Sequence, residues 1–373
     1  MRFSCRQENL KTALGLIGHI AARQGSLPIL SNVLIRVEER TITLISTNLE
    51  IAMRHQLRGK AESDGAITVN ARLVSDVVNL LPKDRIDVTM DNSELDIHCA
   101  SNSTKVRGTD PAEFPLIPSI ERIVEARISA DVLREALGQV VFAVASGDGR
   151  PELSGVIWQF NGNSLTLAAT DSYRLAECKV PLTVSTVANG TSVIVPGRTA
   201  QEILRVLGVP QDDKAVTEVV VTPTANQVLC VIGDLEIISR LIDGTYPDYI
   251  QILPKSWTTR IRVVRTELQA TARAASLFAR TGVNDVHLQA RLKDQQLVVR
   301  SENAQIGEHE SVLAATVEGE DVTSILNARF LLDGLAAMGS EEVTVECSGS
   351  IAPVVIRPVG MEGYLYIIMP IKQ

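Results

Sequence analysis

The sequence lacks the features that direct a chain into a membrane or out of the cell. Residues Met1–Arg6 do not begin the apolar core of a signal peptide, and no run approaches the ~20 apolar residues that a membrane-spanning helix needs. Its odd number of scattered cysteines, without a CxxC pair, is typical of a reducing compartment. They are Cys5, Cys99, Cys178, Cys230 and Cys347. We expect a cytoplasmic, globular protein with free thiols, most of them in the core.

The motifs that usually accompany catalysis are also missing. The sequence has no GxxxxGK[ST] phosphate loop, GxGxxG fingerprint, HExxH helix or GxSxG elbow. The histidines lie in separate segments, and in the pairs His98-Cys99 and His309-Glu310 strand neighbours would point to opposite faces. Asp171 has no partner base, so a turn-forming role is favoured. We expect a non-catalytic protein without metal or cofactor; the alternative is a repeat-built hydrolase with an unrecognised active site.

Positive charge is scarce for a protein that coats DNA. The 36 basic and 44 acidic residues give a net charge of −8, whereas nonspecific phosphate binding needs a dense cationic surface. The 45% hydrophobic and 21% charged composition suffices to bury cores. A protein of this charge that acts on DNA must therefore hold the duplex in another way.

A threefold internal repeat is the main positive signal. Each repeat has a short strand, an amphipathic helix, hairpin strands, a second helix and further strands. The predicted helices are Glu8–Arg23, Asn70–Arg85, Ser129–Ser146, Gly197–Val209, Arg265–Arg280 and Asn327–Met338. We expect an α+β fold of three similar domains, each with two helices packed on antiparallel sheets whose edges invite pairing with a neighbour.

The spacing of the second helices supports this repeat. Asn70 and Asn327 open identical Asn-Ala-Arg triplets, Pro196 opens a related one, and the repeat lengths are 126 and 131 residues. Such units far exceed the ~20 to 50 residues of solenoid repeats, so each can bury its own core. Ser129 and Thr266 are predicted to cap first helices. The predicted domains are 1–125, 126–254 and 255–373, with short linkers at 115–125 and near 253–256.

The predicted helices differ in charge from the rest of the chain. Together they carry +4, so the remaining residues carry −12. Basic helices could face DNA while an acidic exterior faces away. A few arginines on solvent-facing helices would give the same tally, so charge alone leaves both interpretations open.

Six segments, in family order and on all three repeats, resemble one known family. They are Leu27–Leu34, Thr47–Ile51, Ala169–Ala176, Val193–Pro196, Asp243–Tyr249 and Tyr366–Ile371. Along essentially its whole length the chain resembles the bacterial sliding clamps, the beta subunits of DNA polymerase III. Two departures are Ser172-Tyr173, where many members have Gly-His, and Lys372-Gln373, where many end in Arg-Leu.

The resemblance implies a processivity factor rather than an enzyme. It implies a head-to-tail homodimer in which each chain contributes three of the six domains of a ring around double-stranded DNA. No membrane partner is expected. Partners would be the DNA polymerase III catalytic subunit, the clamp loader complex and other proteins that carry a clamp-binding motif.

The resemblance also implies a hydrophobic peptide-binding pocket between the second and third domains. Aliphatic walls would take a ligand's apolar anchors, a thioether would adapt in shape, and Arg174 or backbone groups would orient the peptide. The matching residues are Leu153, Thr170, Ser172, Tyr173, Arg174, Leu175, Pro247, Ile252, Ile351, Pro353, Ile367, Met369, Pro370 and Ile371. Leu153, Leu175 and Ile367 also fit the alternation of ordinary core residues. Met369-Pro370 fit a docked, partly exposed edge near the chain end.

Two further sets are candidates for other contacts. The candidate DNA-contacting residues are basic and lie on or beside predicted helices: Arg23, Arg72, Arg134, Arg150, Arg198, Arg205, Arg273 and Arg280. Leu277 and Phe278 are candidate dimer anchors, and completing the apolar face of the fifth helix is the alternative for both.

Overall fold

The structure is a computed structural model that describes residues 1–21, 27–147, 149–209 and 216–372. Within those ranges the predicted order of elements is confirmed, and each repeat has one strand, a helix, five strands, a helix and three strands. The helices are α1 Gln7–Ile17, α2 Ala71–Leu80, α3 Ala130–Val140, α4 Gly197–Leu207, α5 Arg265–Ser276 and α6 Ala328–Ala337. The first residues of α2, α4 and α6 are 126 and 131 positions apart, as the triplets predict.

The strands of the first repeat include two three-stranded meanders, formed by the second to fourth and the seventh to ninth strands. They are β1 Arg2–Arg6, β2 Asn32–Glu38, β3 Thr41–Thr47, β4 Ile51–Leu57, β5 Gly59–Ser63, β6 Gly65–Asn70, β7 Arg85–Asp91, β8 Glu94–Cys99 and β9 Asn102–Arg107. In the second repeat the strands are β10 Ala126–Ser129, β11 Gly155–Asn161, β12 Ser164–Thr170, β13 Arg174–Pro181, β14 Val184–Ser185, β15 Thr191–Pro196, β16 Glu218–Pro223, β17 Gln227–Ile232 and β18 Leu235–Arg240. In the third they are β19 Thr259–Val264, β20 Asp285–Arg291, β21 Gln296–Asn303, β22 Gly307–Ala314, β23 Thr316–Gly319, β24 Val322–Asn327, β25 Glu342–Cys347, β26 Val354–Pro358 and β27 Tyr364–Ile368.

The Asn-Ala-Arg triplets mark helix starts because their asparagines cap the helices. Asn70 Oδ1 accepts a hydrogen bond from Leu73 N–H at 3.0 Å, and Asn327 Oδ1 accepts from Arg329 and Phe330 N–H at 2.9 and 3.4 Å. Each cap satisfies donors that lack a partner within the helix.

The prediction that Thr266 caps α5 is wrong. The helix begins at Arg265, its N-cap is Val264 without a side-chain hydrogen bond, and Thr266 lies inside the first turn. The predicted helices are also too long at their C-terminal ends. For example, α2 stops at Leu80 because Leu81 precedes a proline and takes extended backbone.

The described chain divides into two compact units. Unit 1 comprises Met1–Arg134, Leu182–Val187 and Glu202–Leu241; unit 2 comprises Glu135–Pro181, Ala188–Gln201 and Ile242–Gln373. The middle repeat contributes to both units. The physical reason lies in the sheets, which continue from one repeat into the next.

Each repeat contributes one five-stranded and one four-stranded group of antiparallel strands. Unit 1 contains sheets ordered β5-β1-β7-β8-β9 and β14-β10-β16-β17-β18-β4-β3-β2-β6. Unit 2 contains β15-β11-β12-β13-β27-β26-β25-β19-β23 and β22-β21-β20-β24. We call the pairing of β18 with β4 the first seam and that of β27 with β13 the second seam. The expectation that sheet edges pair with a neighbour is confirmed at both seams.

The predicted thiols are confirmed as unpaired and buried. All five cysteines are free and inaccessible, and burial raises the pKa of Cys5, Cys178 and Cys230 to about 12. These thiols therefore remain protonated and act as small core residues.

In the ranges that the structure describes, no helix is long and apolar enough to cross a membrane. Within the same ranges, no group of three or more His, Cys, Asp or Glu side chains lies close enough together to hold a metal ion.

Candidate functional site

The turn between β12 and β13 organises the candidate peptide site. Thr170 Oγ1 donates to the Arg174 carbonyl at 2.6 Å and accepts from Ser172 N–H at 3.1 Å. Asp171 Oδ1 accepts from the N–H groups of Tyr173 and Arg174, both at 3.0 Å. The predicted turn-forming role of Asp171 is confirmed. Ser172 has φ +76°, a left-handed conformation that glycine adopts more easily.

Arg174 ties this turn to a helix and to two aromatic rings. Its Nε donates to Asp171 at 2.9 Å, its Nη1 to Asp333 on α6 at 2.6 Å, and its Nη2 to the Phe142 carbonyl at 2.9 Å. The guanidinium carbon lies 4.5 Å from the centre of the Phe330 ring, within cation–π range. Burial by itself would lower the pKa of Arg174, but the bond to Asp333 and the charge of Asp171 raise it above its usual value. The side chain is 11% exposed, and each of its three guanidinium nitrogens donates a hydrogen bond, so this charged group holds the turn in place.

The end of the chain is docked against this turn. Ile367 pairs with Leu175 across the second seam, and Met369 N–H donates to the Tyr173 carbonyl at 2.8 Å. Ile371 N–H donates to the Ile325 carbonyl at 2.8 Å. Docking of the terminus is thus confirmed, but the edge-strand explanation for its proline is wrong. The strand β27 is inside a nine-stranded sheet and ends at Ile368, so Pro370 lies beyond the ladder.

The predicted pocket residues divide by burial. Leu153, Leu175 and Ile367 belong to one buried cluster with Tyr246 and Tyr249, so their alternative assignment to the core fits this structure. Thr170 is buried as well, through its role in the turn. The exposed members are Ser172, Tyr173, Ile252, Ile351 and Met369. The half-buried members are Arg174, Pro247, Pro353, Pro370 and Ile371.

Only some of these residues are brought into direct contact. The seam joins Leu175 to Ile367 and Tyr173 to Met369, and Pro247 accepts a backbone bond from Tyr249 of the buried cluster at 2.8 Å. Sequence reasoning missed the two more distant residues that anchor Arg174. They are Phe142, through its carbonyl group and its ring, and Asp333, through its carboxylate. No local signal in the sequence marks them, since Phe142 and Asp333 lie 32 and 159 residues from Arg174.

Arg150 lies beside the candidate peptide site, although it was predicted to contact DNA. Its Nη1 donates to Ser172 Oγ at 3.3 Å and its Nε to Glu152 at 3.0 Å. Its guanidinium therefore belongs to the surroundings of the Thr170–Arg174 turn.

The other candidate DNA contacts fall into two groups. Arg72, Arg134, Arg198 and Arg273 are exposed; the first two make loose pairs with Asp76 at 3.8 Å and Asp131 at 3.3 Å. Arg205 and Arg280 have defined partners instead. Arg205 donates to Glu202 at 2.8 Å and to the Leu16 carbonyl at 2.6 Å, and Arg280 donates to Asp285 at 2.9 Å. Arg23 lies outside the described residues.

The charge carried by the helices is smaller than predicted. From α1 to α6 the observed helices carry 0, 0, −1, +1, +1 and 0, a total of +1 rather than +4. The missing basic residues, such as Lys83, Arg85 and Arg280, follow the helix ends. Part of the positive charge assigned to the helices therefore lies in the segments that follow them, including the start of β7.

Leu277 and Phe278, the two candidate dimer anchors, follow the C-terminal end of α5. They lie close to β22, the end strand of the sheet β22-β21-β20-β24. Leu277 follows the last residue of α5 and is 72% exposed, so it does not complete the apolar face of the helix. Phe278 stacks on His309 of β22 with ring centres 5.8 Å apart. Exposed Ile306 immediately precedes the same strand.

The fold is that of a DNA sliding clamp. A crystal structure of the DNA polymerase III beta subunit from Pseudomonas aeruginosa superposes with a TM-score of 0.93 at 26% identity, and covers all of both chains. That of the Bacillus subtilis sliding clamp superposes with a TM-score of 0.92 at 27% identity, and covers 100% of this chain and 99% of that one.

Family models identify the chain more narrowly. Models of the N-terminal, central and C-terminal domains of the DNA polymerase III beta subunit match residues 1–118, 127–248 and 250–372. The chain therefore belongs to the DNA polymerase III beta subunit family. The beta sliding clamp of Synechococcus elongatus is 28% identical over 100% of this chain and 99% of its own length. The resemblance, the three clamp domains and the role of a processivity factor rather than a catalytic subunit are thereby confirmed.

Proposed function

We propose that two copies of this chain close head to tail into a ring that encircles double-stranded DNA. The observation that carries this proposal is the pattern of joined and unjoined sheet edges. At each seam the last strand of one repeat pairs with the third strand after the first helix of the preceding repeat. These pairs are β18 with β4 and β27 with β13. Among the described strands the corresponding β9 and β22 remain at the ends of their sheets. A second copy satisfies both edges by the same pairing, and ring closure follows from two such contacts.

Charge on the two end strands favours this pairing. When β9 is aligned with β18 and β22 with β4 by their hairpin pairing, Lys105 corresponds to Ile238 and Glu308 corresponds to Ala52. Ile238 and Ala52 face each other across the first seam, so Lys105 and Glu308 would face each other between the two copies. Opposite charges on facing strands stabilise a pair. Leu277 and Phe278, beside β22, would add apolar contact at the same edge.

Exchange of these two charges tests the dimer. Lys105→Glu alone and Glu308→Lys alone are expected to weaken the dimer at least tenfold in analytical ultracentrifugation, and the double variant to recover most of the loss. Equal weakening in all three variants would exclude the proposed register while leaving other contacts possible.

DNA would be held by enclosure rather than by a strong cationic grip. The exposed Arg72, Arg134, Arg198 and Arg273 are the preferred candidates for phosphate contact. The acidic pairs of Arg72 and Arg134 are loose, whereas Arg205 and Arg280 are held more closely by Glu202 and Asp285. Arg150 adjoins the peptide site. A duplex enclosed in this way can slide freely, which suits a chain with a net charge of −8.

Retention on DNA tests enclosure. Protein loaded by an ATP-driven clamp loader complex is expected to stay on nicked circular DNA and to slide off a linear duplex of the same sequence. Retention on both templates to the same extent would contradict a topological link.

The tether is proposed to be the site around the Thr170–Arg174 turn, between the second and third domains. It would take short apolar motifs from the DNA polymerase III catalytic subunit, the clamp loader and other proteins with clamp-binding motifs. Tyr173 and Met369 are exposed and joined by a backbone hydrogen bond next to buried Leu175 and Ile367, and exposed apolar groups beside a fixed backbone suit peptide anchors. The other exposed apolar members of the predicted set are Ile252 and Ile351. The boundaries 1–125, 126–254 and 255–373 and a cytoplasmic location remain predictions.

A paired substitution tests the tether. Met369→Ala with Pro370→Ala is expected to weaken binding of a polymerase-derived peptide at least tenfold while the dimer stays intact. Unchanged peptide binding would show that the motif binds elsewhere.

A further inference from the structure

The turn between β3 and β4 in unit 1 repeats the frame of the Thr170–Arg174 turn. Thr47 Oγ1 donates to the Ile51 carbonyl at 2.9 Å and accepts from Leu49 N–H at 3.0 Å. Asn48 Oδ1 accepts from Glu50 and Ile51 N–H at 3.0 and 2.8 Å. Leu49 has φ +75°, like Ser172 at +76°. All four side-chain bonds and the left-handed residue thus recur at the same positions.

The strand that borders the turn also recurs. Arg240 N–H donates to the Glu50 carbonyl at 3.1 Å, as Met369 N–H does to the Tyr173 carbonyl at 2.8 Å. Across the first seam Ile238 faces Ala52, as Ile367 faces Leu175 across the second. Arg240 therefore takes the place that Met369 has at the candidate peptide site.

An open, mostly apolar cavity of about 300 Å³ adjoins this repeated turn. Leu49, Ile51, Leu116, Ile117 and Ile238 contribute its apolar walls, and Glu50 and Arg240 line it with opposite charges. Leu49 is 48% exposed and Leu116 is 96% exposed. A volume of this size suits one or two side chains of a ligand rather than a folded domain.

We propose that this cavity is a second peptide-docking site, which takes a short extended segment of a partner protein with two neighbouring aliphatic or aromatic anchors. The proposal rests on the proposed function of the Thr170–Arg174 turn, since it assigns the same kind of ligand to the same backbone frame. The charges on the cavity favour a peptide of mixed charge: its basic group would face Glu50 and its acidic group Arg240. A phosphate backbone would instead meet the Glu50 carboxylate.

The two sites would differ in preference because their turns differ in one side chain. Ile51 takes the position that Arg174 has in the other turn, and it is 1% exposed, so the site at the Thr47–Ile51 turn has no guanidinium at that position of its frame. Asn48 correspondingly replaces the ion-paired Asp171. The site at the Thr47–Ile51 turn should therefore select peptides by their apolar anchors and flanking charges, without the cationic group of the Thr170–Arg174 site.

The test is a titration of the full-length protein with defined probes. The probes are N-acetylated hexapeptides that carry a Leu-Phe, Leu-Leu or Ile-Leu pair between one lysine and one glutamate, and a photoreactive benzophenone version of each maps the site of capture. Calorimetry is expected to give two bound peptides per chain. Leu49→Ser with Leu116→Ser should remove one and abolish crosslinking to unit 1, whereas Leu80→Ser, which removes another exposed leucine from unit 1, should change neither result.

The outcomes separate this proposal from the proposed function. Binding that is unchanged by the Leu49 and Leu116 substitutions, or crosslinks confined to unit 2 for every probe, would overturn the second site. Binding that is unchanged by Met369→Ala with Pro370→Ala, while the Leu49 and Leu116 substitutions remove a peptide, would overturn the site at the Thr170–Arg174 turn and leave this one standing. Unaltered thermal denaturation of each variant serves as the control for folding.

Discussion

The two seams have the same backbone and different side chains. At the second seam a nearly buried Arg174 binds Asp171, Asp333 and a carbonyl group. At the first seam Ile51 takes that position, and the cross-strand charge pair is the more exposed contact of Arg54 with Glu236, at 3.0 Å. The comparison teaches that a threonine and an Asx residue suffice to form the turn, whereas one neighbouring side chain decides how firmly it is fixed and what it can recognise.

The largest effect should follow from removal of the guanidinium that distinguishes the second seam. Arg174→Ala leaves Asp171 with an uncompensated charge in a half-buried site, which is expected to cost about 3 kcal/mol. Hydrogen exchange by mass spectrometry should then become roughly 100-fold faster across 170–175. Arg54→Ala at the first seam is the matched control and should cost less than about 1 kcal/mol. Equal protection losses at the two seams would refute the distinction.

Packing beneath the second seam should give the next largest effect. A methyl group on Gly334 of α6 would lie 2.2 Å from a ring carbon of Tyr366, so Gly334→Ala is expected to destabilise unit 2 by about 2 kcal/mol. Gly15→Ala in α1 is the control, because nothing lies within 4 Å of its added methyl group; it should stabilise the helix slightly. A Gly334→Ala protein with an unchanged urea midpoint would show that the ring can move aside.

Acid should weaken unit 1 through a histidine beside the first seam. Burial lowers the pKa of His55, on β4, to about 4, against the opposing charge of Asp234. Between pH 6.5 and 4 the unfolded chain takes up a proton at this residue that the folded chain excludes, so stability is lost as the pH falls. The expected loss from pH 7 to pH 5 is about 2 kcal/mol. Urea denaturation of wild type and His55→Gln checks this, since the variant should lose less over the same interval; parallel losses would exclude His55 as the cause.

The smallest effects should come from the helix caps that the repeats share. Asn327→Ala and Asn70→Ala should each cost about 1 kcal/mol. The first should cost more, because Asn327 accepts two backbone hydrogen bonds and Asn70 accepts one. Hydrogen exchange in the first turns of α6 and α2 measures the difference, and a larger effect at Asn70 would reverse the ranking.

Local signals allowed much of the fold to be predicted. Asparagine caps and apolar spacing act over a few residues, so all six helices and the threefold series were readable, whereas Thr266 misled because a threonine near a helix start can also lie inside it. The seams were not readable, because the choice of edge partner depends on strands about 180 residues apart, as in the pairing of Leu235 with His55.

The candidate site was predictable only in part for the same reason. Family resemblance named the Thr170–Arg174 turn and the docked terminus. It did not identify Asp333, which is 159 residues from Arg174 in sequence. The burial of Leu153, Leu175 and Ile367 was indicated by the alternation of apolar residues and not by the resemblance. The repeated frame at Thr47–Ile51 was visible as a resembling segment, but its cavity became visible only when Leu116 and Arg240 were placed beside it.

The proposal that unpaired end strands close a ring is tested most directly by the mass and low-resolution shape of the protein in solution. Sedimentation equilibrium and small-angle X-ray scattering are expected to give twice the 40.4 kDa of one chain and a particle with a central hole. A compact 40.4 kDa monomer without a hole, at concentrations well above those used for DNA loading, would contradict the account.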